Sequence, residues 1–144
     1  MRPPRPSLVL HVALDAASRD LLDDAVTRHA FALLELGVTL APGPDWTAVS
    51  PPPRMRVLVR SGQLRGASPA AVRSRLATRP SLRARLVLTA TAPPAAGVVD
   101  PWRRLWGETL CDVVVDDDPA ALWRAFGAAV GFGTRSLALP VRTG

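Results

Sequence analysis

Ser7-Leu-Val-Leu-His-Val-Ala-Leu-Asp15 is the stretch on which the fold turns. Ser7 to Leu14 is rich in Val and Leu and alternates, so it reads as a strand. Asp15 and Ser18 then offer N-caps to a helix running to about Leu36. Its apolar residues Leu22, Val26, Leu33 and Leu36, with His29 among them, recur at helical spacing, and Gly37 supplies the stop. Val38-Thr-Leu-Ala41 reads as a second strand, completing a strand–helix–strand unit.

The same alternation continues downstream. Met55 to Arg60 resumes as a strand after a Pro-rich loop at 42–53, where five of twelve residues are proline and Trp46 sits in the middle. Ser68-Pro69, Asp100-Pro101 and Asp118-Pro119 each place a capping residue before a proline, the signature of a helix start. The intervening apolar runs, Ala84 to Thr91 and Leu110 to Val115, read as strands, and Leu137 to Val141 as a last one. Several strands are apolar throughout, as in a parallel sheet buried on both faces. The expectation is one α/β domain over 1–144, a three-layer sandwich with a mostly parallel sheet of about five strands.

Composition narrows the function classes. The chain is 48% hydrophobic, which argues against disorder. Its apolar runs, such as Leu86-Val-Leu-Thr-Ala-Thr-Ala92, fall far short of the ~20 residues of a membrane span. The basic-then-apolar N-terminus has the order of a signal peptide, but His11 interrupts it, Asp15 closes it and no small-residue cleavage site follows, so it reads as a strand. A single cysteine, Cys111, excludes an internal disulfide or a cysteine-based zinc site and fits a reducing, cytoplasmic compartment. Lys, Asn, Ile and Tyr are all absent. That is the mark of a GC-rich, bacterial-type genome, and it removes any argument that Arg was chosen over Lys for its geometry.

Charge is segregated. From Trp46 to Val99 there are nine arginines and no acidic residue, whereas both flanks carry slightly more acid than base. Strand alternation puts Arg54, Arg56 and Arg60 on one face, with Met55, Val57 and Val59 on the other. Arg75 and Arg79 lie one helical turn apart. With Arg65 these form a candidate basic surface for an acidic protein partner or for nucleic acid; the alternative is a set of solvated charges on separate faces. Nucleic acid ranks lower, because no aromatic lies between Trp46 and Trp102 to stack a base and no helix-turn-helix or RNA-recognition signature appears. Trp46 is either an exposed apolar anchor or a plug folded back onto the domain.

Asp116-Asp-Asp118 ends a strand and opens a helix. The stretch 111–132 looks like the opening of a response-regulator receiver domain, where adjacent acids after the first strand help hold Mg²⁺. Only residues 133–144 follow it here, so the strand and lysine that complete that chemistry have no counterpart and the function is not carried over. Asp118 reads as a helix cap, with Asp116 and Asp117 favourable near the helix N-terminus. The metal alternative would join Asp15, Asp116 and Asp117 at strand ends, where open α/β sheets bind ligands. No cofactor motif is present: Gly131-Phe-Gly133 follows a helix, and no Gly-x-Ser-x-Gly elbow occurs. Cys111 with His11 or His29 lacks a nucleophile motif, and all three read as structural.

One resemblance covers residues 20–140. Arg56-Val-Leu-Val-Arg-Ser61, the helix end, apolar strand and Ala-Pro-Pro loop of Leu76 to Pro94, and Cys111 to Arg124 follow an order similar to the C-terminal domain of bacterial vWA–MoxR-associated proteins. Those are conflict-system components encoded with a von Willebrand A protein and a MoxR-type ATPase, and the domain usually ends a longer chain. The resemblance implies a non-catalytic scaffold or adaptor. The leading expectation is thus a non-enzymatic module presenting arginines to an acidic protein. The alternatives are a small enzyme or metal-binding domain using strand-end carboxylates, and sequence-independent nucleic-acid binding.

Overall fold

In the computed structural model, which describes residues 7–64, 67–107 and 110–139, Leu8, Val9 and Leu10 are all essentially inaccessible to solvent. Three consecutive buried residues require cover on both faces of a strand, and β1 (Leu8–Ala13) accordingly sits at the centre of the sheet. The other strands are β2 (Val38–Leu40), β3 (Arg56–Val59), β4 (Ala84–Ala90) and β5 (Cys111–Val115). All pairings are parallel, in the order β2-β3-β1-β4-β5, with Leu8 in register with Val57 on one side and Ala84 on the other. The three-layer α/β expectation holds.

Helices α1 (Ala16–Arg28), α2 (Ala30–Glu35) and α5 (Pro119–Val130) follow β1 and β5; α3 (Pro69–Ala77) and α4 (Ala96–Trp106) follow β3 and β4. One core joins Val9, Leu58 and Val87 with Leu22, Leu33, Trp123 and Phe126 from the α1, α2 and α5 layer. The opposite core joins Leu8, Leu10, Val57 and Val59 with Trp46, Val72, Trp102 and Trp106. Alternate residues of β1 and β3 therefore serve opposite layers. Among the described residues no helix is long and apolar enough to cross a membrane.

Three sequence expectations change, and the open choice at Trp46 is settled. The helix expected to reach Leu36 is two helices, broken at His29 (φ −100°, ψ 19°), whose carbonyl still receives the Leu33 N–H. The helix expected to start at Asp100-Pro101 starts at Ala96 and contains Pro101. Val99 is buried with Trp102 and Trp106 on one stripe, and that burial outweighs the amide hydrogen bond proline cannot make. The final strand is not formed within its described part, 137–139; its residues 140 and 141 lie outside the described set. Instead Leu137 is buried as a covering tail, and its carbonyl accepts the Trp123 indole N–H at 2.6 Å. Trp46 is the plug and not an exposed anchor: it is fully buried in the α3/α4-side core. Burying so large a ring is worth on the order of 3 kcal/mol, which exceeds the cost of leaving its indole N–H without a protein partner.

Candidate functional site

The Pro-rich segment that carries Trp46 has few N–H donors of its own, because five of its residues are proline. Side chains supply the missing donors. Arg79 donates to the carbonyls of Thr47 (2.6 Å) and Val49 (3.1 Å), and Gln63 Nε2 donates to those of Ala41 (3.0 Å) and Gly43 (2.7 Å). Arg75 lies 4.9 Å above the Trp46 ring and pairs with Asp45 at 3.1 Å. The Thr47 hydroxyl, the Thr47 N–H and Arg75 together hold the Asp45 carboxyl below the ordinary carboxylate range, against a smaller desolvation effect. Arg75 and Arg79 thus clasp a loop.

Arg56 and Arg60 flank Leu58 on the α1, α2 and α5 face. Arg56 Nη1 donates to the Val130 carbonyl at 2.6 Å, at the C-terminal end of α5, and Arg60 Nη1 donates to Thr27 Oγ1 at 3.2 Å. Arg54 does not share their strand face. It stands in the preceding turn with a left-handed backbone (φ 67°), is exposed, and has no ion-pair or hydrogen-bond partner among the described residues. Arg65 lies outside the described residues. The other arginines of the basic stretch are dispersed: Arg73 stacks over Trp106 at 5.7 Å, and Arg85 Nε lies 3.1 Å from Asp112, close enough for an ion pair though not aligned as a hydrogen bond.

Three of the six nominated arginines nevertheless contribute to the lining of a single cavity. Arg54, Arg56 and Arg79 line one cavity of about 750 Å³ at the N-terminal edge of the sheet. Pro51, Pro52 and Pro53 wall it on one side, and Ser7, Ser50 and Ser81 contribute to its lining. Each guanidinium carries five N–H donors. The bonds described above occupy one on Arg56 and two on Arg79, and leave the Arg54 fork unoccupied. The arrangement suits a carboxylate or phosphate lying against an apolar wall.

At the opposite edge the strand-end acids are turned to structural work. Asp15 accepts from the Ser18 N–H at 2.8 Å and from the Thr91 N–H at 2.7 Å, joining the start of α1 to the end of β4. Burial alone would raise its carboxyl, but these donors and the hydroxyls of Ser18 and Thr91 hold it below its ordinary value. Asp116 Oδ1 accepts the Asp118 N–H, and Asp118 caps α5 through the Ala121 N–H. Asp117 makes no described contact with the other two. Among the described residues no three His, Cys, Asp or Glu side chains come close enough together to hold a metal ion.

A polar line unseen in the sequence runs between the sheet and α1. His11 Nδ1 stands 3.6 Å from Asp23 Oδ1, His11 Nε2 is 2.8 Å from Thr89 Oγ1, and Thr89 Oγ1 is 3.2 Å from Ser18 Oγ. Asp23 also accepts from the N–H groups of Ser61 and Gly62. Desolvation acts to raise the Asp23 carboxyl, and the His11 contact with those two amides overcomes it, holding the group low. Carboxylate, imidazole and hydroxyl follow the order of a hydrolytic triad, yet His11 and Thr89 are 1% and 0% exposed, so the line is buried between the sheet and α1. Cys111 lies in the α3/α4-side core while His11 contacts Phe126 of α5 on the other face, so they form no nucleophile–base pair. His29 stacks on Trp123 and bonds the Ala138 carbonyl. The signal for the buried line was weak: one His in an apolar strand and one Thr in another.

No family model matches the chain, and no match emerges among curated proteins or among solved structures.

Proposed function

We propose that this domain is a non-enzymatic interaction module that receives an acidic segment of a protein partner in the cleft lined by Arg54, Arg56 and Arg79. The observation that carries this reading is that all three arginines line one cavity and that Arg54 among them is exposed, with no ion-pair or hydrogen-bond partner among the described residues. Arg56 and Arg79 are each held by hydrogen bonds to backbone carbonyls and so contribute charge at little entropic cost, and Arg54, without a partner among the described residues, offers a bidentate fork for a carboxylate. An adaptor role also agrees with the order of elements similar to vWA–MoxR-associated domains. A cytoplasmic setting agrees with the lone buried thiol of Cys111.

The test is fluorescence anisotropy of labelled oligoglutamate and of single- and double-stranded nucleic acid, titrated with the protein at graded salt. Oligoglutamate binds, and Arg54→Glu abolishes the binding while the thermal midpoint stays unchanged. Tighter binding of nucleic acid, weakening log-linearly with salt, would replace this reading with sequence-independent nucleic-acid binding. Failure of all probes at low salt would remove both.

A further inference from the structure

Phe31 is 90% exposed, and Leu34 and Leu36 are 46% and 43% exposed. Phe31 and Leu34 stand three residues apart on α2 and so share a face. A solvent-facing phenyl ring with a half-exposed leucine on the same face, and a further half-exposed leucine at the helix's C-cap, make the end of α2 more apolar than an exterior of scattered single hydrophobes.

Its position ties it to the arginines. Helix α2 ends at the turn Leu36-Gly37, and the Gly37 carbonyl accepts the Arg56 N–H at 2.9 Å. A side chain at Gly37 would meet the Arg54 carbonyl at 3.7 Å, so the two turns are in contact. From Phe31 to Glu35, the last residue of α2, is about 6 Å at 1.5 Å per residue, so the exposed apolar residues lie close along the chain to the turn that touches the Arg54 carbonyl. We propose that the segment received is amphipathic: carboxylates enter the cleft at Arg54 while bulky apolar side chains of the same segment cover Phe31, Leu34 and Leu36. This rests on the cleft reading above and adds the apolar half of the recognition. Charge selects the occupant. The neighbouring cleft carries three arginines, whereas Glu35 is the sole ionisable residue of 31–37. A basic segment would therefore be repelled at Arg54 and attracted only at Glu35.

Three labelled peptides of equal length separate the possibilities: an acidic peptide with Leu and Phe at helical spacing, a permutation of the same composition that destroys the spacing, and oligoglutamate. The amphipathic peptide binds at least about tenfold tighter than the other two, the scale expected for covering one large apolar side chain. Phe31→Ser, a change at an exposed site, brings it down to the level of oligoglutamate, and Glu35→Gln tightens it. If all three peptides bind alike, and respond to Arg54→Glu but not to Phe31→Ser, this inference falls and the cleft reading survives. If none binds, both fall. Concentration-dependent self-association that Phe31→Ser dissolves would also overturn it, because a second copy of the chain would then be the occupant.

Discussion

Arg56 Nη1 donates to the carbonyl of Val130 at 2.6 Å, so a residue of the basic stretch closes the C-terminal end of the last helix. The carbonyls there have no intrahelical partner and carry the negative end of the helix dipole. Gly131 makes the approach possible: its backbone is left-handed (φ 111°), and a Cβ on it would overlap the Arg56 guanidinium. The first prediction contrasts two arginines that look alike in sequence. Arg56→Ala lowers the unfolding free energy by about 1–3 kcal/mol, the scale for a charge-assisted hydrogen bond to a helix end. Arg54→Ala changes it by less than about 0.5 kcal/mol, as for a surface change without a partner. Urea titration followed by tryptophan fluorescence measures both, and equal losses would show that Arg54 is structural too.

A second prediction concerns the clasp. Arg79→Ala leaves the carbonyls of Thr47 and Val49 without their described donor and loosens the segment that carries Trp46. The expected cost is about 2 kcal/mol, since both lost bonds are charge-assisted. The decisive readout is local: tryptophan emission shifts to the red and limited proteolysis cuts within 42–53, while Arg54→Ala, which removes no described hydrogen bond, produces neither. Unchanged emission would mean that the apolar contacts of Trp46 hold the loop unaided.

The contrast between Arg54 and Arg79 shows how far the sequence could be read. The apolar runs of β1 and β4 made the parallel sheet legible, because no other arrangement covers both faces of such strands. The caps at Asp15, Ser68 and Asp118 were equally plain, each having a short side chain one turn ahead of an amide it could reach. The arginines were legible as charges but not as donors. Whether a guanidinium faces solvent or a carbonyl depends on where a proline-rich loop runs, and that is decided by the burial of Trp46 over a distance no local pattern encodes. The cleft was half visible: Arg54, Arg56 and Arg79 were all nominated, but for a flat patch, on a strand face that Arg54 does not share. Phe31 was passed over, since a lone aromatic within a helical stretch gives no sign of facing outward until the break at His29 is known.

Acid should unfold the protein through Asp15 and Asp23. Both carboxyls titrate lower in the folded chain than when unfolded, so between the two values the unfolded state binds more protons. Their stabilisation is complete above the unfolded value near 4, and it is lost as pH falls through the folded values. The thermal midpoint should therefore hold from neutrality to about pH 5 and fall steeply below about pH 4. Asp23→Asn lowers stability at neutral pH by about 1–3 kcal/mol, through the donors left at Ser61 and Gly62, and flattens the acid limb. A midpoint with the same acid slope in both proteins would remove Asp23 from the account.

The strand-end acids yield a third contrast. A metal site built on Asp15, Asp116 and Asp117 would give a thermal shift with Mg²⁺ or Mn²⁺ that Asp116→Asn abolishes. The geometry predicts no such shift. Among the described residues no three His, Cys, Asp or Glu side chains stand close enough together to share an ion, and the Asp15 carboxylate is already neutralised in part by two backbone amides. A shift of several degrees in the native protein, absent in the variant, would revive the metal reading.

Cys111 offers a probe of the sheet edge. It begins β5, an edge strand held by β4 alone on its paired side, with Leu86 opposite in register. Burial pushes its thiol above the ordinary value, and this outweighs the nearby Arg103 charge, so little thiolate exists at neutral pH. Alkylation by iodoacetamide should therefore proceed only when β5 detaches or the whole domain unfolds. If β5 opens with the domain, the labelling rate rises as global stability falls, and Arg56→Ala accelerates it by about tenfold for each 1.4 kcal/mol lost. If β5 opens alone, Arg56→Ala has no effect, because Arg56 lies on β3 at the far side of β1 from β4 and β5. Under that outcome Asp112→Ala, which removes the ion pair joining β5 to Arg85 of β4, becomes the substitution that speeds labelling.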